Sequence, residues 1–199
     1  MPKRVDHEQR RGRIIEALWR IAADRGLHAV SFREVSAEAG VSVSLIQYYF
    51  ETRHQLVLSS LEALTSLVME RSTTRPSRSS RGPAARRRLE AVLSELLPVD
   101  EERRRTMLLF KMYESAALTD PQLAAVATPS HARALQRHLA DQLRQGQRAG
   151  AVRADVKPDL EASALVALAA GLGSTVLGNL HSPRQALTIV KSRLDRLFT

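Results

Sequence analysis

The sequence predicts an all-α chain of about nine helices, and three observations point there. Nine Gly and eight Pro punctuate 199 residues of which 44 % are apolar, a composition that suits a globular helical chain. Apolar residues recur at helical spacing, as in Ile14, Ala17, Leu18, Ile21 and Ala22, which form an i, i+3, i+4, i+7 face. No stretch reads convincingly as a strand. The length fits one large or two small domains, enough to bury a real core.

Composition also excludes chemistry. Without a single Cys the chain has no disulfide, thiolate zinc site or cysteine nucleophile. The charged start MPKRVDHEQRRGR leads into no apolar segment, so no signal peptide is expected and the protein is expected in the cytoplasm. The net charge of +9 suggests a nucleic-acid partner. Its placement weakens that inference: residues 71–88 carry seven Arg and no acid, whereas residues 1–60 hold nine Lys/Arg against seven Asp/Glu.

Helix one is expected over the apolar face above, with Trp19 beside it as packing. Arg4, Arg10, Arg11 and Arg13 fall in a tail and first turn. Two readings stand for them, an arm reaching phosphates or the minor groove and a solvated terminus. From Ser31 to Leu56 the chain reads helix, turn, helix, and the start of another. Ser31 with Glu34 makes a capping box, and so does Thr52 with Gln55. Gly40 closes the first short helix in the left-handed conformation, and Ser42 caps the second, Val43 to about Tyr49. Two short helices around Gly-Val-Ser form a helix-turn-helix, whose second helix enters the major groove with its N-terminal residues at base edges.

At these residues the sequence resembles the DNA-binding domain of the TetR family of transcriptional regulators. Gly26, Ser31-Phe32-Arg33, Ala39-Gly40-Val41-Ser42, Leu45 through Phe50, Arg53 and Leu56 carry the resemblance, over roughly residues 10 to 60. Val43 and Ser44, after the cap Ser42, are placed to meet thymine methyls or base edges. Gln47, one turn on, can offer a bidentate amide to adenine. Tyr48 and Tyr49 suit phosphate oxygens. Arg33 and Arg53, in the first turns of flanking helices, can converge on phosphate with helix N-terminal N–H groups. The resemblance implies DNA contact at these same positions. Leu45, Ile46 and Phe50 read as core, and of the two tyrosines Tyr48 reads as the one that packs.

Beyond it, helix four runs from Arg53 to about Arg71, and RSTTRPSRSSRGP (71–83) reads as a flexible basic loop. Helices follow over 84–97 and Asp100–Ala117. Asp120-Pro121 starts a longer helical region to about Gln145, with a kink placed at Thr128-Pro129-Ser130. Pro158 and Ser182-Pro183 start the last two. Ala162–Leu180 is nearly uncharged, but its Ser, Thr and Asn residues and lack of an aromatic belt argue against a membrane span. Buried on several sides, it suits a homodimeric four-helix bundle formed by the last two helices, about 158–180 and 183–197. The division expected is 1–52 for DNA binding and 53–199 for regulation and dimerisation.

The pattern FKMYESAALTDPQL followed by LRQGQRAGAVRADVKPDLEASALVALAAGLG resembles the regulatory domain of BetI-like members of the TetR family. An effector pocket is expected around Met107, Phe110, Lys111, Tyr113 and Glu114, since such pockets are mostly apolar with a few polar groups. Glu114 can pair with a cationic ligand or with Lys111 at i−3. No phosphate loop, nucleophile elbow or H-E-x-x-H occurs, and His131 with His138 lacks a third ligand. No cofactor, metal site or catalysis is expected. The expectation is a dimeric repressor of a near-palindromic operator released by a small molecule. A regulator whose C-terminal domain docks a protein partner stands as the alternative.

Overall fold

The computed structural model describes residues 2–74, 83–127 and 130–198. They form ten α-helices: α1 Pro2–Arg25, α2 Phe32–Ala39, α3 Val43–Phe50, α4 Arg53–Thr74, α5 Ala84–Glu95, α6 Glu101–Ala117, α7 Pro121–Ala127, α8 Ser130–Arg148, α9 Pro158–Leu177 and α10 Pro183–Asp195. A short 3-10 turn, Leu27–Ala29, separates α1 from α2. The tenth helix arises because the long region expected after Pro121 divides into α7 and α8. The Thr128-Pro129 part of the kink, the side chain of His131 and residues 75–82 of the basic loop lie outside the described residues. The start of that loop, through Thr74, continues α4. The one β-feature among the described residues is an isolated bridge between Val152 and Phe198.

The chain divides into two compact units, one of residues 1–66 and 108–127, the other of residues 67–107 and 128–199. In the first, Ile14, Leu18 and Ile21 of α1 meet Val35, Ile46, Phe50, Leu56 and Leu61 in one core, the periodic face read from sequence. Trp19 packs against that core and its indole N–H donates to the Ser60 carbonyl at 3.3 Å. The Ser60 hydroxyl donates to the Val57 carbonyl at 2.7 Å, so the Tyr113 phenol is the donor in their 2.5 Å bond. Tyr113 is wholly buried, and that burial pushes its phenol up to about 12.

In the second unit α5, α8, α9 and α10 enclose Leu89, Leu93, Leu139, Leu143, Leu165, Ala169, Val190 and Leu194. Ser182 and Gln185 make a complete capping box at α10, and Arg193 of α10 holds Glu161 of α9 through two bonds of 2.9 and 2.6 Å. α9 is long and apolar enough to cross a membrane by length and composition. It instead buries Ala162, Leu165, Ala169, Leu172 and Val176. Its other face, Ser163, Ala164, Ala167, Gly171 and Ser174, is exposed and small. The glycines of this stretch differ in role. A Cβ on Gly173 would stand 2.6 Å from the Met107 methyl and 3.4 Å from the Leu96 carbonyl, whereas one on Gly171 would meet nothing.

Candidate DNA-reading surface

The surface is built by caps and by one locked helix. Ser31 accepts the Glu34 amide at 3.2 Å, but the reciprocal half of the expected box is not made. The Glu34 carboxylate turns to Arg25 at 2.7 Å, a charge-assisted bond that outcompetes a backbone amide. Gly40 takes φ 66°, and Ser42 accepts the Leu45 amide at 3.2 Å. The turn between α2 and α3 is therefore fixed by local chemistry at both ends. Ile46 and Phe50 anchor α3 in the core. Val43, Ser44, Gln47 and Tyr48 lie on the opposite, exposed face, the i, i+1, i+4, i+5 set that one helical stripe presents together.

Tyr48 corrects the packing expectation. It is 71 % exposed, and Tyr49 is the member that packs against the core. The helical phase decides this, since Tyr49 is three residues on from Ile46 and shares its side. Arg33 is exposed in the first turn of α2. Arg53 bonds the Val30 and Leu27 carbonyls at 2.6 and 2.7 Å. Its guanidinium thereby ties the start of α4 to the segment before α2, with donor capacity left over. Thr52 accepts the Gln55 amide at 3.1 Å.

What flanks this surface was not legible in the sequence. α1 starts at Pro2, so Arg10, Arg11 and Arg13 lie inside a helix rather than in a tail. Its first turns reach α3: the His7 ring lies 5.2 Å from Tyr49 and 5.9 Å from Tyr48, and the Arg11 guanidinium lies 5.4 Å over the Phe50 ring. The absence of an apolar pattern before Ile14 hid this extension.

The residues expected at an effector do not share one environment. Tyr113 and Phe110 belong to the core of the first unit, Lys111 pairs with Glu114 at 2.7 Å, and Met107 belongs to the second unit. Within the second unit, a cavity of about 430 Å³ is lined by Glu90, Glu95, Asp100, Glu102, Arg103 and Lys191, among others. Glu90, Glu95 and Arg103 are all buried. Arg103 pairs with Glu95 and Asp100, and Glu90 pairs with Arg86 at 3.0 Å and Lys191 at 3.5 Å. Buried charges survive only when paired in this way. The i, i+4 spacing of Arg86 and Glu90 was readable; the approach of Lys191 was not.

A helix-turn-helix with its reading face exposed and its opposite face locked defines a DNA-binding regulator. The family model for bacterial regulatory proteins of the tetR family matches residues 14–59, and that for the C-terminal domain of BetI-type transcriptional repressors matches residues 85–199. The chain belongs to the TetR family, with a C-terminal domain of BetI type; it is a transcriptional regulator, not an enzyme. It is 28 % identical to the HTH-type transcriptional regulator PksA of Bacillus subtilis (strain 168), covering all of this chain and 90 % of that one. Over 64 residues, 32 % of each protein, it is 34 % identical to the regulator BetI of Rhizobium meliloti (strain 1021). The fold is that of a transcriptional regulator from Saccharomonospora viridis solved in complex with choline, at TM-score 0.83 and 24 % identity over 96 % of this chain and 99 % of that one. A regulator from Rhodococcus sp. Rha1 superposes at TM-score 0.78 and 26 % identity over 94 % of this chain and 95 % of that one.

Proposed function

We propose that the chain is a cytoplasmic homodimeric repressor that reads a near-palindromic operator with α3 and is released by a small-molecule effector. The observation that carries this reading is the exposed stripe Val43, Ser44, Gln47 and Tyr48, opposite the buried Ile46 and Phe50. Gln47 supplies the amide for adenine and Val43 the contact for a thymine methyl. Ser44 reaches a base edge, while Ser42 orients the helix. Tyr48, Tyr49, Arg33 and the donors that Arg53 has left meet phosphate and fix the register. Residues 1–52 carry recognition; residues 53–199 carry regulation and dimerisation.

The exposed small-residue face of α9 supports pairing with a second copy through α9 and α10, because backbones carrying Ala, Ser and Gly approach closely. Two recognition helices then read half-sites about one DNA turn apart. The effector reading is supported by the polar cavity of the second unit and by the choline bound to the S. viridis protein of the same fold. Of the α6 residues proposed for the effector, Met107 lies in that unit; Phe110, Lys111, Tyr113 and Glu114 lie in the other. Release requires the effector to favour a dimer geometry whose helix spacing no longer fits DNA.

Gel shifts of the full-length protein on the DNA upstream of its own gene, beside a scrambled duplex, test this. The expected result is preference for the genuine fragment by about three orders of magnitude or more, abolished by one compound of an effector screen. Equal, steeply salt-dependent binding to both duplexes would mean phosphate attraction alone on that fragment.

A further inference from the structure

We propose that His7 is a positioning residue for DNA recognition: its imidazole, carried on the helical start of α1, holds Tyr48 and Tyr49 in the orientation in which their phenols meet phosphate. The inference rests on the assignment of those tyrosines given above.

His7 and Arg11 are separated by four residues on α1 and therefore share one face. His7 sits edge-on to Tyr49 at 5.2 Å and tilted to Tyr48 at 5.9 Å; the two phenol rings meet at 5.4 Å and 81°. One turn further on, Arg11 covers Phe50. Two successive turns of α1 thus grip three consecutive residues of α3. Tyr49 and Phe50 have the core behind them, but Tyr48 is 71 % exposed. What fixes its ring is the pair of rings beside it. These separations are the range in which aromatic rings attract edge to face. A phenol held in place before DNA arrives need not be ordered on binding, which improves affinity without a new contact. The imidazole lies against the two phenols, and this points to support of the tyrosines rather than to a phosphate contact of its own.

The test uses full-length protein and a duplex that the wild type selects from a random-sequence pool. His7→Ala is expected to weaken binding about five- to tenfold, as loss of its ring pairs with Tyr48 and Tyr49 implies, and to lower the thermal midpoint by at most about 2–4 °C, since His7 is exposed. His7→Phe, which keeps a ring and removes the N–H donors, is expected to bind within about twofold of wild type with the same salt slope. In a Tyr48→Ala background His7→Ala is expected to add much less than it costs alone. If His7→Phe is as weak as His7→Ala and its salt slope falls by about one, the imidazole contacts phosphate itself and the proposal is overturned. Wild-type affinity in His7→Ala beside a weakened Tyr48→Ala overturns it while sparing the tyrosine assignment. Wild-type affinity in Tyr48→Ala removes that assignment and this inference with it.

Discussion

Around Ile46 and Phe50 the buried polar groups are neutral: Ser60 and Tyr113 hydroxyls that satisfy each other and a backbone carbonyl. In the unit of α5, α8, α9 and α10 they include charges: Glu90, Glu95 and Arg103, each at most 8 % exposed, are buried together with the neutral Gln142. A neutral core with capped helices has one good arrangement, which suits the helix proposed to present four side chains to DNA in register. A buried set of ion pairs beside a cavity offers partners to a charged or polar guest, which suits the effector-sensing role proposed for this unit. Both units bury leucines in similar fashion; they differ in what is buried with them.

The sharpest way to break this contrast is to open a hole in the neutral core. Phe50→Ala is expected to cost about 3–5 kcal/mol, and Trp19, the sole tryptophan, reports it as a shifted urea transition in fluorescence. An unshifted transition would mean that α3 is not anchored as described. In the charged unit, Arg103→Met leaves Glu95 without its partner guanidinium and is expected to cost about 3 kcal/mol. That loss is read by circular dichroism as a lowered thermal midpoint, and Glu95→Gln in the same chain is expected to recover part of it. If Glu95→Gln worsens the loss instead, the pair is not what stabilises that unit.

Tyr113→Phe sharpens the neutral side. It removes one buried bond and is expected to cost about 1 kcal/mol near neutral pH. Because the folded phenol is raised from near 10 to about 12, the folded state holds its proton more tightly than the unfolded one. That stabilisation is complete below pH 10 and fades as pH rises to 12. The Phe variant is therefore expected to lose less stability than wild type over that window, and parallel melting curves would contradict it. Smallest is Ser42→Ala, which removes the exposed α3 cap for about 0.5–1 kcal/mol. It is expected to weaken operator binding beyond its effect on the melting temperature; an effect on melting alone would reduce Ser42 to a purely structural role.

The recognition unit was legible because its punctuation is local. Ser31, Gly40, Ser42 and Thr52 act within three residues of themselves, and the α1 face repeats at helical spacing. What escaped was non-local or phase-dependent. The diversion of Glu34 to Arg25 and the ties of Arg53 to Leu27 and Val30 need the tertiary fold. Tyr48 and Tyr49 are adjacent, and a single helical step decides which packs. The start of α1 carries no apolar pattern, so its grip on α3 was invisible. The residues of α6 expected at an effector form one helical stretch in sequence, yet that helix gives Met107 to one unit and Tyr113 to the other. Composition alone cannot divide a helix between two cores.

The most direct measurement is selection of duplexes from a random pool by the full-length protein, repeated with Gln47→Ala. The expected result is an enriched inverted repeat with half-sites about one helical turn apart, and a changed preference at one base pair per half-site for Gln47→Ala. A pool that shows no enriched motif, with binding that simply tracks salt, would contradict it.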